Sequence, residues 1–195
     1  MTVEQVIIIN RESRTDRRAN MEARLKDVGL FDKAVFYRAS EPYELHHALD
    51  DYELFNNSNL NEGALCCFLS HVRLWHSLTN YDENYNVLIL EDDAVFHPEF
   101  NRIFSNLSEM GDGKIYHLGN TKKKGYGHKW HDDLGHWLSH AYIINRDVAG
   151  ILLQHTKIIT TAIDAHLIAC AGFLKTYSCI PDLIWQDTTK SDIQP

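Results

Sequence analysis

The sequence predicts an α/β layer fold: a mostly parallel, Rossmann-like central sheet flanked by helices. Three observations carry this expectation. Short apolar, β-branched runs alternate along the chain with stretches of helical spacing. Runs such as VIII (6–9) have no polar alternation, as expected of strands covered on both faces. The 195 residues suffice for one core, and no repeat, low-complexity tract or Pro/Gly-rich linker divides them, so residues 1–195 are expected to form a single domain.

The elements follow in order. VIII is the first strand. TDRRANMEARLKDVG (15–29) is a helix, with Met21, Leu25 and Val28 on one face and Gly29 where a helix stop belongs. AVFYRA (34–39) is a second strand. Residues 40–60 are polar and acidic without a clear period and are expected to be loop or short helix. NEGALCCFLSHVRLWHSLT (61–79) places Leu65, Phe68, Leu69, Val72 and Trp75 at helical spacing. NVLIL (86–90) is the strongest strand signal. Pro98 opens a helix over PEFNRIFSNLSEM, with Gly111 beyond it. KIYHLG is a strand, residues 119–135 a polar Gly-containing loop, and WLSHAYIIN a strand. RDVAGILLQH and IDAHLIACAG are helices, KTYSCI a last strand and PDLIWQDTTKSDIQP an irregular tail.

Composition narrows the function classes. The formal charge of −8 makes nucleic acid a poor partner, so an anionic substrate would need a local basic patch or a cation. The opening MTVEQVIIIN is too short to span a membrane and has no signal-peptide pattern, and no lipidation motif stands at the C-terminus; a cytoplasmic location is the expectation. Cys66, Cys67, Cys170 and Cys179 form no CxxC pair. Cys66 and Cys67 are adjacent on a helix and point in different directions, so reduced, partly buried thiols are expected.

One stretch stands out chemically. VLILEDDAVF (87–96) places Glu91, Asp92 and Asp93 directly after the strongest strand. Crowded carboxylates repel one another and resist desolvation. In open α/β sheets, however, ligands bind at the carboxyl ends of strands. A hard divalent cation, Mg²⁺ or Mn²⁺, takes oxygen ligands and keeps positions open for water and phosphates. If the turn is extended, side chains alternate, so Glu91 and Asp93 point together and Asp92 away. The competing reading is a solvated acidic turn.

These segments together resemble glycosyltransferase family 25, which includes bacterial lipooligosaccharide galactosyltransferases and animal collagen galactosyltransferases. VIIINRESRTDRR is similar to the family's opening, an Asn followed by spaced arginines. NEGALCCFLSHVRLW resembles its Gly-Glu-Ile-Gly-Cys segment with a following Ser-His and Trp. Cys66, Leu69, Ser70, His71 and Trp75 fit; Ala64 and Leu65 follow Gly63, so the second family Gly is absent. VLILEDDAVF matches the acidic motif, and HAYIINRDVAGILL, IDAHL and PDLIWQ…SDI continue the series in order.

The resemblance implies a GT-A-like fold and an inverting, metal-dependent hexosyltransferase using Mn²⁺ or Mg²⁺. The donor would be a UDP-sugar, often UDP-galactose or UDP-glucose, and the acceptor a glycan or glycoprotein. A lipid-linked acceptor would bring the chain to a membrane surface without a transmembrane segment. Asp93 and Glu91 would hold the metal. Asn10, Arg14, Arg17, Arg18, Ser70, His71, Asp92, His140, Gln186 and Ser191 would serve the donor. Arg suits a diphosphate because its planar fork matches phosphate oxygens. Asp164 would be the general base that takes the acceptor's proton.

Each of these has a plainer reading. The arginines could be a solvated helix start, although positive charge there opposes the helix dipole. Ser70 and His71 could be hydrogen-bonded core residues. Asp164 could be a first-turn Asp favoured by the same dipole. His128, His131 and His136 fit no zinc spacing and read as scattered in a loop, as do Lys122, Lys123 and Lys124. Two other functions compete. A non-catalytic nucleotide-sugar or glycan-binding module of the same fold would bind without turnover. A metal-dependent phosphotransferase would need a Gly-rich phosphate loop, which the sequence lacks.

Overall fold

In the computed structural model, which describes residues 1–45, 47, 55–56, 59–108, 114–119, 129–132 and 139–187, β1 (Gln5–Asn10) is the second strand from one edge of a seven-stranded sheet. The other strands are β2 (Ala34–Arg38), β3 (Phe55–Asn56), β4 (Val87–Glu91), β5 (Ala94–Phe96), β6 (Lys114–His117), β7 (Lys129–Asp132), β8 (Ala141–Ile144), β9 (Ile158–Ile159), β10 (Lys175–Ile180) and β11 (Ile184–Gln186). The α-helices among the described residues are α1 (Thr15–Asp27), α2 (Glu62–Thr79), α3 (Phe100–Asn106), α4 (Arg146–His155) and α5 (Ile163–Cys170). The main sheet has the order β2-β1-β4-β8-β6-β10-β7. β2, β1, β4, β6 and β10 run one way; β8 and β7 run against them.

The continuous apolar character of β1 has a direct cause. Val6 and Ile8 face a core with Met21 and Leu25 of α1 and Phe100 of α3. Ile7 and Ile9 face the opposite core, with Phe68, Leu69 and Trp75 of α2 and Val148 of α4. A strand buried on both faces leaves no position for a polar residue. Each fully buried Leu or Ile contributes about 1.5–3 kcal/mol. Met21→Ala would therefore open a hole between α1 and the sheet. α1 ends as its sequence predicts: Gly29 takes φ +66°, a conformation that side chains with a Cβ resist.

Four departures from expectation have physical reasons. The helix after Pro98 begins only at Phe100 and ends at Asn106, because Leu107 turns extended and buries its side chain. Within the expected loop 119–135, Lys129–Asp132 forms β7, paired antiparallel with β10. The four residues KWHD are too few to carry a strand pattern in the sequence; the strand is defined by its backbone pairing with β10. The expected irregular tail contains β11, which pairs antiparallel with β5, a strand hidden in the continuation of VLILEDDAVF. β3 lies in the expected loop 40–60 and pairs with β9. Among the described residues, no helix is long and apolar enough to cross a membrane.

Candidate active site

β1 and β4 are parallel neighbours, with Ile9 opposite Glu91. Their carboxyl ends therefore finish side by side, where a ligand can approach. The residues one step further meet directly: Asn10 Nδ2 donates to Asp92 Oδ2 at 2.8 Å. A cavity of about 240 Å³ opens there, lined by the acid triplet together with Arg17 of α1, Ser70 and His71 of α2, and Gln186 of β11.

The three acids divide their partners differently from the alternation expected of an extended strand. Glu91 turns toward α2 and β8: Ser139 Oγ donates to its Oε1 at 2.6 Å, and His71 Nε2 lies 3.5 Å away. Asp92 and Asp93 both face Arg17, at 2.7 and 3.6 Å. Gln186 Nε2 donates to Asp93 Oδ2 at 3.1 Å. The chain has already left the strand at Asp92 and Asp93, which form a turn before β5, so the two-residue period no longer applies.

Electrostatics follow from these partners. Burial, reinforced by the neighbouring Glu91 charge, pushes the Asp93 carboxyl up to about 7 against the pull of Arg17 and Gln186. Burial would raise Glu91 too, but His71 and the Ser139 hydroxyl outweigh it and hold that carboxyl below its ordinary value. The two neighbouring carboxyls are thus pushed in opposite directions, Glu91 down and Asp93 up.

Glu91 is held through a buried chain of polar groups. Trp75 Nε1 donates to the Tyr142 hydroxyl oxygen at 3.0 Å, and that hydroxyl shares a 2.7 Å hydrogen bond with His71 Nδ1. When Tyr142 donates, His71 carries its proton on Nε2, facing Glu91. When Nδ1 carries the proton, Tyr142 accepts it and the Nε2 lone pair is bare. Ser70 has a structural bond pattern: its hydroxyl donates to Cys66 O at 2.6 Å and accepts from Ser40 N at 2.8 Å. It joins α2 to the segment after β2 at the cavity wall.

The residues present fit a divalent cation. Asp93 Oδ1 is buried and has no hydrogen-bond partner among the described residues, although the rest of its carboxyl is engaged. An orphaned carboxylate oxygen with a second acid nearby is the donor chemistry that Mn²⁺ and Mg²⁺ take. Asp93 and Glu91 are the residues that would hold the ion.

Other expected residues lie elsewhere. Arg14 pairs with Asp16 at 3.0 Å. Arg18 pairs with Glu22 and lies over the Phe36 ring, 4.4 Å from its centroid. His140 is buried, with Nε2 donating to Ile184 O at 3.2 Å, so it props the β11 segment; burial holds its imidazole below the ordinary value. Asp164 stands in the first turn of α5, where Ala165 N donates to its Oδ1 at 2.8 Å. Asp164 is not among the residues that line the cavity. Burial raises the Cys67 thiol, and the charges of Glu91, Asp164 and Asp93 raise it further. Ser191, the histidines at 128 and 136 and the lysines at 122–124 lie outside the described residues, as does the side chain of His131.

Several contributors were not visible in advance. Arg11, which lines the cavity, is paired with Glu41 at 2.9 Å. Ser139 directly precedes the His-Ala-Tyr segment, and that adjacency was its only signal. Gly119 gave no signal. An added Cβ there would fall 1.5 Å from Ile184 O, so only glycine lets β11 close over the sheet.

Comparison with known proteins agrees with this geometry. The profile of glycosyltransferase family 25 (LPS biosynthesis protein) matches residues 3–134, about two thirds of the chain. A glycosyltransferase 25 family member of Drosophila pseudoobscura pseudoobscura is 28% identical over 144 residues, covering 67% of this chain and 22% of the relative. One from Anopheles gambiae is 26% identical over 144 residues, covering 68% and 24%. The chain thus spans less than a quarter of the length of these curated relatives. The solved structure of a glycosyltransferase involved in the glycosylation of the major capsid of PBCV-1 superposes with a TM-score of 0.50, at 10% identity, over 97% of this chain and 95% of that one. That likeness concerns the fold, which is GT-A-like as expected.

Proposed function

The chain belongs to glycosyltransferase family 25, and from that premise we propose that it moves a hexose, galactose or glucose, from a UDP-sugar to a hydroxyl of a glycan or glycoprotein acceptor, with inversion. The observation that carries this reading is the buried Asp93 Oδ1, which has no hydrogen-bond partner among the described residues, in a turn that shares a cavity with Arg17. A nucleic acid or a plain sugar gives no reason to bury such an atom; a divalent cation, which would offset the charge of a diphosphate, does.

In this reading Asp93 and Glu91 would hold Mn²⁺ or Mg²⁺. When bound, the ion offsets the charge of the donor diphosphate and of the leaving UDP. Arg17 supplies a fixed positive charge from α1, and Asn10 keeps Asp92 in place. Gln186 closes the acid turn from β11. Asp164 accepts the proton of the acceptor hydroxyl as that oxygen bonds to the anomeric carbon. The electron pair of the breaking glycosyl bond passes to the diphosphate oxygen, so the anomeric centre inverts.

The test is a thermal-shift panel of nucleotide sugars with Mn²⁺ and then with chelator, followed by assays of transfer. The expected result is a shift for one UDP-sugar that the chelator removes. Asp93→Asn should retain its fold and lose transfer. Asp164→Asn should retain donor binding and lose about 10²-fold or more in kcat. Donor binding with neither transfer nor hydrolysis would instead favour a binding module.

A further inference from the structure

We infer that Cys67, His71 and Glu91 form a second cation site on the wall of the same cavity, one selective for a thiophilic ion of the Zn²⁺ class. Cys67 and His71 are four residues apart on α2, so they share one face of the helix. Glu91 approaches that face from the end of β4. One ligand atom from each of the three lies within 4.8 Å of the others. A tetrahedral ion with bonds of about 2.3 Å to sulfur and about 2.0 Å to nitrogen draws its ligand atoms to roughly 3.5 Å apart, a modest rotation of the Cys67 and Glu91 side chains.

A second observation points independently to a ligand. His71 is fully buried, and its Nε2 has no hydrogen-bond partner among the described residues although it is aimed at Glu91, 3.5 Å away. Its other nitrogen is already fixed by Tyr142, which itself accepts from Trp75. Histidines that bind metals are oriented in this way through the distal nitrogen.

The ligand set differs in kind from that at Asp93. A thiol sulfur, an imidazole nitrogen and a carboxylate suit Zn²⁺ or Co²⁺, whereas an oxygen-only set suits Mn²⁺ and Mg²⁺. Glu91 belongs to both sets. Cys67, His71 and Glu91 all line the cavity, so three protein ligands would leave a fourth position open to it. An ion there would draw Glu91 away from the acid turn. The inference does not depend on the transferase reading.

Cobalt tests it directly, because a Co²⁺–thiolate bond gives a charge-transfer band in the near ultraviolet that oxygen ligands cannot produce. The full chain, kept reduced with a non-thiol reagent, is titrated with Co²⁺ and then with Zn²⁺. One equivalent of Co²⁺ should generate the band, and Zn²⁺ should bleach it. Cys67→Ser should lose the band; Cys67→Ala serves if the serine variant melts early by circular dichroism. Asp93→Asn should keep it. A wild-type chain without the band, a band that survives in both Cys67 variants, or one abolished by Asp93→Asn would each overturn the site.

Discussion

Asn10 donates its side-chain N–H to Asp92 at 2.8 Å, joining the residue that closes β1 to the first turn residue after β4. The bond sits where two parallel strands end in register, so the sheet itself brings Asn10 to Asp92. Arg17 then enters from α1 and meets Asp92 at 2.7 Å and Asp93 at 3.6 Å. The end of β1 and the start of α1 thus converge on a pair of carboxylates some 75–82 residues further along the chain.

Arg17→Ala should therefore be costly. It leaves two mostly buried carboxylates without their cation; breaking such a pair costs about 3 kcal/mol. Urea unfolding in chelator should show that loss. Added Mn²⁺ should restore part of it, and more in the variant than in the wild type, because the ion takes over Arg17's charge. Equal Mn²⁺ stabilisation of both proteins would contradict a cation at Asp93.

Tyr142→Phe removes one oxygen and strands two buried nitrogens, Trp75 Nε1 and His71 Nδ1. Each buried polar group left unpaired costs about 1–3 kcal/mol. Beyond that loss of stability, His71 would be free to turn away from Glu91. The expected result is a fold that survives, with a transfer rate falling more than donor affinity. A variant with wild-type stability would show that the Trp75–Tyr142–His71 chain is not the support described here.

Much of this was legible because β1 and β4 are covered on both faces: with Val6 and Ile8 on one core and Ile7 and Ile9 on the other, no polar residue interrupts the run, and the acids after β4 stand out. α2 was legible because Leu65, Phe68, Leu69, Val72 and Trp75 are buried at helical spacing. β7 and β11 were not, since their existence depends on pairing with β10 and β5. Gln186 was named for the donor, but its contact with Asp93 was not legible, because that reach depends on β11. The orientation of the three acids was misread because the strand ends at Glu91. Cys67 looked inert beside Cys66, whereas its relevant neighbour is His71 one helical turn away.

Gly119→Ala should detach the β11 segment. A methyl group there would meet the Ile184 backbone O at 1.5 Å, a distance no rotamer change can relieve, and would also crowd His140 Nε2 at 2.8 Å. The Leu183 and Ile184 amides donate to Leu118 O at 2.7 and 2.9 Å, so moving Ile184 breaks both bonds. Gln186 would then leave Asp93. Amide hydrogen exchange should rise over residues 183–187 while β1 and β4 stay protected. Unchanged protection at Ile184 would show that the backbone accommodates the methyl group by another route.

Acid should destabilise the fold through His166, which lies between α5 and α2. Its ring packs on Phe68 and stacks with Trp75, and its Nε2 donates to Thr156 Oγ1 at 2.8 Å. Burial holds the imidazole below its ordinary value of 6.5, with His155 adding a smaller push in the same direction. The sign follows from which state binds the proton first. Above 6.5 the imidazole is neutral folded and unfolded, and the group makes no difference. As pH falls through 6.5, the unfolded chain takes up a proton that the folded chain still refuses, so stability declines until the folded group titrates as well. His140 and His76, also lowered by burial, add to the slope. His166→Gln keeps an N–H for Thr156 and cannot titrate. Measured by urea unfolding between pH 7 and 5, its stability should fall less steeply than that of the wild type, by at most about 1.4 kcal/mol per pH unit, the value of one proton. Parallel slopes in the two proteins would remove His166 from the acid response.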